Sequence, residues 1–323
     1  MCPTYQATGD ELMSTRGRAN IIRAVLQRRL DGDAGFEQSD ALEQALGNCL
    51  SCKACTAECP SNVNMSLLKA ELLHARQRRR GVPFRARLLS RVDLLGKLGG
   101  LLPDLANFML ENPLFRLGLE RAAGVAKERP LPHYAPQRFD AWFKRHPSVH
   151  AVAARGEVIL WDDCFVRHNE PGIGRAAVAV LEAAGYTPLL AAGHACCGRP
   201  AFSLGRLDKA RAFGRCNLEL LRNTTGPILF LEPSCYAMFR EEYIELGLEN
   251  AREIAERAVL FEHFIEALLQ NEPEVLPLKP DPRGIAVHVH CHAKALADTG
   301  AMLRLAGRLA GNNATLLDSG CCG

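Results

Sequence analysis

No apolar run in this chain approaches the length needed to cross a bilayer, and its first residues carry neither the basic stretch nor the hydrophobic segment of a secretory leader. The composition of a disordered segment is missing too: 48% of the 323 residues are apolar, ordinary for a folded chain with room for two or three domains. A net charge of +3 is too small to imply a nucleic-acid partner. Acidic residues are absent from one stretch, 76–91, which holds seven arginines. Such a stretch is a solvated helix face and turn, or a docking surface for an acidic partner or anionic lipid. No arrangement of residues marks a general base, a nucleophile or a substrate clamp. The expected compartment is the cytoplasm, with a peripheral position at the inner face of the membrane as the alternative.

What the chain has is cysteine. There are thirteen, an odd number without a leader before them, which argues against a disulfide framework. Four fall within eleven residues, Cys49-Leu50-Ser51-Cys52-Lys53-Ala54-Cys55-Thr56-Ala57-Glu58-Cys59, and Pro60 follows. This C-x2-C-x2-C-x3-C-P spacing is the one that wraps bacterial-type 4Fe-4S clusters, with three thiolates on one cluster and the fourth on a neighbour. A structural zinc site draws its four ligands from two separated pairs, not from one run closed by proline. By this arithmetic Cys49, Cys52 and Cys55 need one outside partner, and Cys59 needs three. Cys2-Pro3 repeats the signature of Cys59-Pro60. Cys2 is therefore expected to complete the first 4Fe-4S cluster. Cys59 is left as the single ligand of a second one, as in an N-terminally truncated fragment.

Along the chain, residues 14–30 place Ile21, Ile22, Val25 and Leu26 at helical spacing. Asp40 with Glu43 opens a short helix leading into Cys49, and Asn64 or Ser66 caps a helix that Gly81 and Pro83 end. Apolar helical segments over 88–124, broken at Pro103 and Pro113, are expected to pack over these helices and shield the clusters. Residues 127–156 are rich in proline and read as an extended linker, with Trp142 and Phe143 anchoring it to a domain. Strand-like runs at 157–161, 186–190 and 228–231 alternate with helices at 174–184 and 207–222, which argues a parallel sheet covered on its faces.

The remaining cysteines repeat at the ends of these strands. Asp163-Cys164 is followed by Cys196-Cys197-Gly198 and Glu232-Pro233-Ser234-Cys235; His290-Cys291-His292 is followed by Cys321-Cys322-Gly323. The single cysteine and the pair are separated by 31 residues in the first unit and by 29 in the second. Strand-like runs at 285–289 and 314–317 precede the second set. Ligands collect at the carboxyl ends of strands in open α/β sheets, which groups these thiols in one crevice. Buried structural thiols are the plainer alternative. Cys216 falls outside the pattern and is expected only to pack. The second unit ends one residue after Cys322 and looks truncated.

The Cys2 to Arg18 opening, the Cys49 to Pro60 run and the two Cys-Cys-Gly units together resemble the iron-sulfur portion of FAD-linked 2-hydroxyacid dehydrogenases of the D-2-hydroxyglutarate dehydrogenase type. They also resemble the separate iron-sulfur subunits of glycolate oxidase and glycerol-3-phosphate dehydrogenase, and the Cys-Cys-Gly domains of heterodisulfide reductase. The resemblance implies an α/β fold with an N-terminal all-helical ferredoxin-like domain and tandem Cys-Cys-Gly α/β repeats, the second truncated. The expected boundaries are 1–126 for the helical 4Fe-4S domain, 127–156 for the linker, 157–278 for the first unit and 284–323 for the second. It implies cofactor-binding roles for Cys2, Cys49, Cys52, Cys55, Cys59, Cys164, Cys196, Cys197, Cys235, Cys291, Cys321 and Cys322. FAD would sit in a flavin domain or a flavoprotein subunit outside this sequence. Electrons would pass from reduced flavin to a membrane quinone or an electron-transfer protein, and this chain alone would not be catalytic. The alternative is thiol-disulfide chemistry at the Cys-Cys-Gly site, as in heterodisulfide reductase; purely structural clusters are a third reading. One departure stands out. The family pattern closes each unit with C-x-x-C, and Glu232 occupies the place of its first cysteine, so metal binding by this unit is an open question. His290 and His292 are hydrogen-bond donors to a cluster, ligands, or polar residues at a strand end.

Overall fold

The computed structural model describes residues 2–32, 40–60, 63–147, 155–281 and 283–317. Five helices open the chain: α1 (Pro3–Thr8), α2 (Thr15–Leu30), α3 (Asp40–Gly47), α4 (Ala54–Glu58) and α5 (Met65–Arg80). The helical stripe of α2 does what its spacing implies. Ile22 and Val25 bury against Leu42 and Leu46 of α3 and Met65 of α5, with Ile21, Cys55, Leu68 and Leu72 packed around them. Each buried side chain of this size contributes roughly 1.5–3 kcal/mol. Asn64 caps α5 by accepting the Leu67 N–H at 3.1 Å.

Next come α6 (Phe84–Leu89), α7 (Val92–Gly99), α8 (Pro103–Glu111), α9 (Pro113–Ala123) and α10 (Phe139–Phe143). Pro103 and Pro113 stand at helix starts, where a missing N–H is harmless. The α/β region follows: β1 (Glu157–Trp161), α11 (Cys164–His168), α12 (Pro171–Ala183), β2 (Thr187–Leu190), α13 (Arg199–Ser203), α14 (Leu207–Leu221), β3 (Ile228–Phe230) and α15 (Pro233–Ala237). A π-helical turn, Met238–Glu242, leads into α16 (Tyr243–Glu245), α17 (Ala251–Arg257), β4 (Ala258–Leu260) and α18 (Phe261–Asn271). Last are β5 (Ile285–Val287), α19 (Cys291–Leu296), α20 (Thr299–Leu309) and β6 (Ala314–Leu316).

The larger sheet is wholly parallel in the order β2-β1-β3-β4, with Ile159 opposite Leu189 on one side and Ile228 on the other. Its central strands are buried from Val158 to Trp161 and from Ile228 to Phe230, as a sheet covered on both faces requires. Gly174 permits that cover: a Cβ there would stand 2.6 Å from the Phe139 ring and 2.8 Å from Val166. A second parallel pair joins β5 to β6, with Ala286 opposite Thr315.

The chain divides into two compact units, Met1–Val82 with Phe202–Leu207 and Pro280–Gly323, and Pro83–Ala201 with Asp208–Lys279. Helices α6–α9 thus group with the α/β sheet, where α7 packs on α11, rather than with the N-terminal cysteine helices. Residues 280–317 group with the N-terminal helices, where α19 packs on α4. The expected linker carries α10, whose Phe139 is fully buried. An amphipathic stripe reports that a face is buried without naming its partner, so these groupings were not in the pattern. No described helix is long and apolar enough to cross a membrane.

Candidate functional site

Among the described residues two groups of cysteines form, one in each unit. In the first, Cys2 lies before α1, Cys49 and Cys52 lie in the loop between α3 and α4, and Cys55 lies on α4. All four line one open cavity. The loop reaches this shape through Ser51 (φ 54) and Lys53 (φ 61), two non-glycine residues in the left-handed region. Such backbone costs about 1–3 kcal/mol per residue and persists where the surroundings over-determine it.

The surroundings are specific. Lys69 on α5 is buried and donates to the Cys49 carbonyl, and His292 on α19 donates from Nε2 to the Ser51 carbonyl at 3.1 Å. Thr4 donates to the Asn48 carbonyl at 2.8 Å, tying the Cys2 segment to the loop. Arg18 Nη1 donates to Cys2 Sγ at 3.1 Å. Burial raises the Cys2 thiol, but hydrogen bonds from the Tyr5 backbone and Arg18 outweigh it and hold the thiol below its usual range. Cys55 goes the other way. Burial and the Cys49, Cys52 and Cys2 sulfurs push it up to about 11.

Four soft thiol donors at one cavity suit iron or zinc, whose binding requires them deprotonated. Two buried polar atoms on the same wall, Arg18 Nη2 and Ser66 Oγ, have no hydrogen-bond partner among the described residues. An anionic, acceptor-rich group would satisfy both, and the start of α5 adds the positive end of a helix. The residues fit a sulfur-bound cluster. Cys59, at the end of α4, is not among the residues lining this cavity.

The second group sits at the carboxyl ends of β1, β2 and β3, beside the point where strand order reverses between β1 and β3. Cys164 begins α11, Cys196 and Cys197 follow β2, and Cys235 lies on α15. The Cys235 and Cys197 sulfurs are 3.0 Å apart, and both Cys164 and Cys197 hydrogen-bond to Cys196. Those bonds hold the Cys196 thiol well below its ordinary value, while Cys164 and Cys197 are raised. Gly198, at φ 87, turns the backbone so that its N–H donates to Cys196 Sγ at 3.4 Å.

The carbonyls of the pair are pinned. Tyr243 Oη donates to Cys197 O at 2.7 Å, and Asn217 Nδ2 donates to Cys196 O at 3.1 Å and to Tyr243 Oη at 3.2 Å. Asp163 caps α11 by accepting the Phe165 and Val166 N–H groups. Its other carboxylate oxygen is buried without a hydrogen-bond partner among the described residues; burial pushes the carboxyl up to about 6, and the nearby Glu232 adds to the shift. Glu232 accepts the Ser234 N–H at 3.0 Å as the cap of α15. The residue that replaces the expected cysteine thus has a backbone role of its own. Four thiols converge here without it, and the donor set fits a thiolate-bound metal or cluster. A cavity beside Cys164 and Cys196 is lined by Asp93 and Lys97 of α7 with Arg167, His168 and His194.

Cys291 begins α19 after β5, as Cys164 begins α11 after β1. One ring nitrogen each of His290 and His292 and the Cys291 Sγ lie within 4.8 Å of one another. Cys321 and Cys322 lie outside the described residues. Cys216 is exposed on α14, contrary to its expected packing role: the buried face of that helix carries Asn217 and Leu218 instead. Sequence reasoning missed Arg18, Asn217, Tyr243 and Lys69. Each stands on a helix among other polar side chains, so the local pattern does not single it out.

Comparison with known proteins matches two regions to described families. Residues 1–63 match the 4Fe-4S dicluster domain, and residues 158–240 match the cysteine-rich domain. A subunit of the anaerobic glycerol-3-phosphate dehydrogenase of Escherichia coli is 29% identical over 240 residues, which are 73% of this chain and 60% of that protein. The glycolate oxidase iron-sulfur subunit of the same organism is 27% identical over 312 residues, 91% of this chain and 69% of that one. D-2-hydroxyglutarate dehydrogenase of Pseudomonas putida is 24% identical over 371 residues, covering 100% of this chain and 35% of the relative. No solved structure matches. The chain joins a 4Fe-4S dicluster domain to a cysteine-rich domain and is a distant relative of subunits of these oxidoreductases and of the D-2-hydroxyglutarate dehydrogenases.

Proposed function

We propose that this chain is the iron-sulfur electron-transfer portion of an FAD-linked 2-hydroxyacid dehydrogenase, of the D-2-hydroxyglutarate, D-lactate or glycolate type, and takes electrons from reduced flavin to a downstream acceptor. The observation that carries the reading is the meeting of Cys2, Cys49, Cys52 and Cys55 at one cavity with Arg18 on the Cys2 sulfur. These four cysteines would hold one 4Fe-4S cluster, which when bound supplies reversible one-electron transfer. The chain's own residues do the rest. Lys69 and His292 fix the loop carbonyls, Ile22, Leu46 and Met65 keep water from its inner side, and the open mouth leaves an edge for electron exchange.

Cys164, Cys196, Cys197 and Cys235 are proposed as the ligands of a second metal centre. The β5–β6 pair with Cys291 is proposed as a second copy of the Cys-Cys-Gly unit, which Cys321 and Cys322 complete; the matching position of Cys164 and Cys291 after their strands supports it. One observation favours thiol-disulfide chemistry at the first unit instead, namely the 3.0 Å approach of the free Cys197 and Cys235 thiols. The full-length chain should be reconstituted with iron and sulfide and mixed with its flavoprotein partner and a 2-hydroxyacid. Bleaching of the cluster absorbance that requires both flavoprotein and hydroxyacid supports the reading. Hydroxyacid-driven turnover that persists in the Cys49→Ser variant would defeat it.

We further propose that the acceptor side is an anionic membrane surface. Leu98, Leu101, Leu102, Leu105, Phe108 and Leu114 are all exposed on or beside α7–α9, and the exposed Arg85, Arg87, Arg91 and Lys97 lie within the same stretch. Apolar side chains beside cations match the headgroup boundary of an anionic bilayer. Co-sedimentation with anionic vesicles, lost in Leu101→Asp/Leu105→Asp and weak with neutral vesicles, is the expected result; equal recovery from both would remove the charge argument.

A further inference from the structure

Arg18 is 2% exposed, yet its guanidinium reaches the wall of the cavity shared by the four N-terminal cysteines. Nη1 donates to Cys2 Sγ at 3.1 Å and Nε to the Ala45 carbonyl at 2.7 Å, while the buried Nη2 has no partner among the described residues. The carboxylate close in sequence does not neutralise it: Glu11 is taken by the exposed Arg16 at 2.8 Å and by the Ser14 hydroxyl at 2.9 Å. The backbone is shaped to deliver this side chain. A Cβ on Gly17 would lie 2.1 Å from the Glu11 carbonyl oxygen, so only glycine lets the first turn of α2 press against the Glu11–Met13 turn. Ser14 Oγ then accepts the Gly17 N–H at 2.8 Å.

Ser66 supplies a second, independent sign. It is 2% exposed on the first turn of α5, lines the same cavity, and its hydroxyl also has no partner among the described residues. A buried donor left unmade is costly, and a buried uncompensated cation more so. Two such donors on one wall call for an occupant rich in acceptors and negative in charge. A thiolate-bound cluster meets both conditions, and its potential depends on net charge and on hydrogen bonds to its sulfurs.

We propose that Arg18, assisted by Ser66, sets the reduction potential of the cluster held by Cys2, Cys49, Cys52 and Cys55. The proposal rests on the reading that a cluster binds there. One-electron reduction adds one negative charge to the site. A fixed guanidinium in a low-dielectric wall stabilises that state more than the oxidised one. It therefore holds the potential up and makes the site a better acceptor. Arginine suits the task because it stays charged and can serve a sulfur and a carbonyl at once.

The test uses the full chain reconstituted with iron and sulfide and titrated with a chemical reductant under electron paramagnetic resonance, the signal being assigned by its loss in Cys49→Ser. In Arg18→Gln the iron content should match wild type and the midpoint should move to more negative potential. At a fixed ambient potential the reduced-to-oxidised ratio should fall about tenfold or more, the worth of a hydrogen bond from a charged donor. Arg18→Lys and Ser66→Ala should move it the same way by less. Unchanged midpoints in Arg18→Gln and Ser66→Ala, with full iron, overturn the proposal. Should Arg18→Gln lose its iron, unchanged midpoints in Arg18→Lys and Ser66→Ala overturn it equally. A wild-type chain that takes up no cluster at these cysteines overturns the binding reading and the proposal with it.

Discussion

His292 and Ser51 are 241 residues apart in sequence and joined by a hydrogen bond, ring Nε2 to carbonyl oxygen, at 3.1 Å. Both residues are buried, and Ser51 is one of the two left-handed residues of the cysteine loop. Removing the donor leaves a buried carbonyl unsatisfied at about 1–3 kcal/mol. His292→Leu should therefore loosen the Cys49–Cys55 loop and speed loss of iron to a chelator, whereas His292→Gln should retain part of the protection. Equal chelation rates in wild type and His292→Leu would show that the bond does not brace the loop.

The role of Cys2 separates from that of an ordinary thiol by a paired substitution. Cys2→Ser should lose or convert the cluster, since Cys2 shares the cavity with Cys49, Cys52 and Cys55. Cys216→Ser should leave iron and sulfide content unchanged, because Cys216 is exposed and outside both thiol groups. Iron analysis of the two proteins decides; equal loss in both would remove the assignment.

In the cysteine-rich domain the Cys196-Cys197 backbone is held from two sides by Tyr243 and Asn217, both fully buried. Tyr243→Phe removes a donor and should lower stability by about 1–3 kcal/mol. Asn217→Ala removes three bonds at once, to Ala195, Cys196 and Tyr243, and should cost more. Urea midpoints measure both. A Tyr243→Phe protein as stable as wild type would mean that the Cys197 carbonyl finds another donor.

His168 gives a pH dependence with a definite sign. Burial, then the positive Arg138 and Arg167, push it from 6.5 down to about 4. The folded chain binds this proton less readily than the unfolded chain. The stability it contributes is complete above pH 6.5 and is lost as pH falls toward 4, at no more than about 1.4 kcal/mol per pH unit. His168→Gln should have a shallower loss over that window. Parallel acid limbs in denaturant titrations of the two proteins would contradict the burial argument.

How much of this was legible in the sequence differs from residue to residue. The Cys49–Cys59 run states its chemistry by spacing, and Cys2 was reachable through the repeated Cys-Pro pair. Strands β1, β2 and β3 appeared because apolar β-formers stand before Cys164, Cys196 and Cys235. Strand β4 did not, since Ala258-Val259-Leu260 is too short to show a period and no cysteine follows it. The bond from His292 to Ser51 and the delivery of Arg18 by Gly17 depend on three-dimensional approach, which no local pattern encodes. The grouping of α6–α9 with the α/β sheet failed to show for the same reason.

The joining of Met1–Val82 with Pro280–Gly323 in one compact unit has a consequence for the order in which the protein can be made. On the ribosome the cysteine loop emerges long before α19 does. At about 5–20 residues per second, the wait between Cys59 and His292 is roughly 10–50 s. Through that interval the Ser51 carbonyl lacks the His292 ring and α4 lacks its neighbour α19, while Pro83–Ala201 and Asp208–Lys279 can already condense around their sheet. The loop that carries Cys49, Cys52 and Cys55 thus gains its brace from His292 only once α19 has emerged.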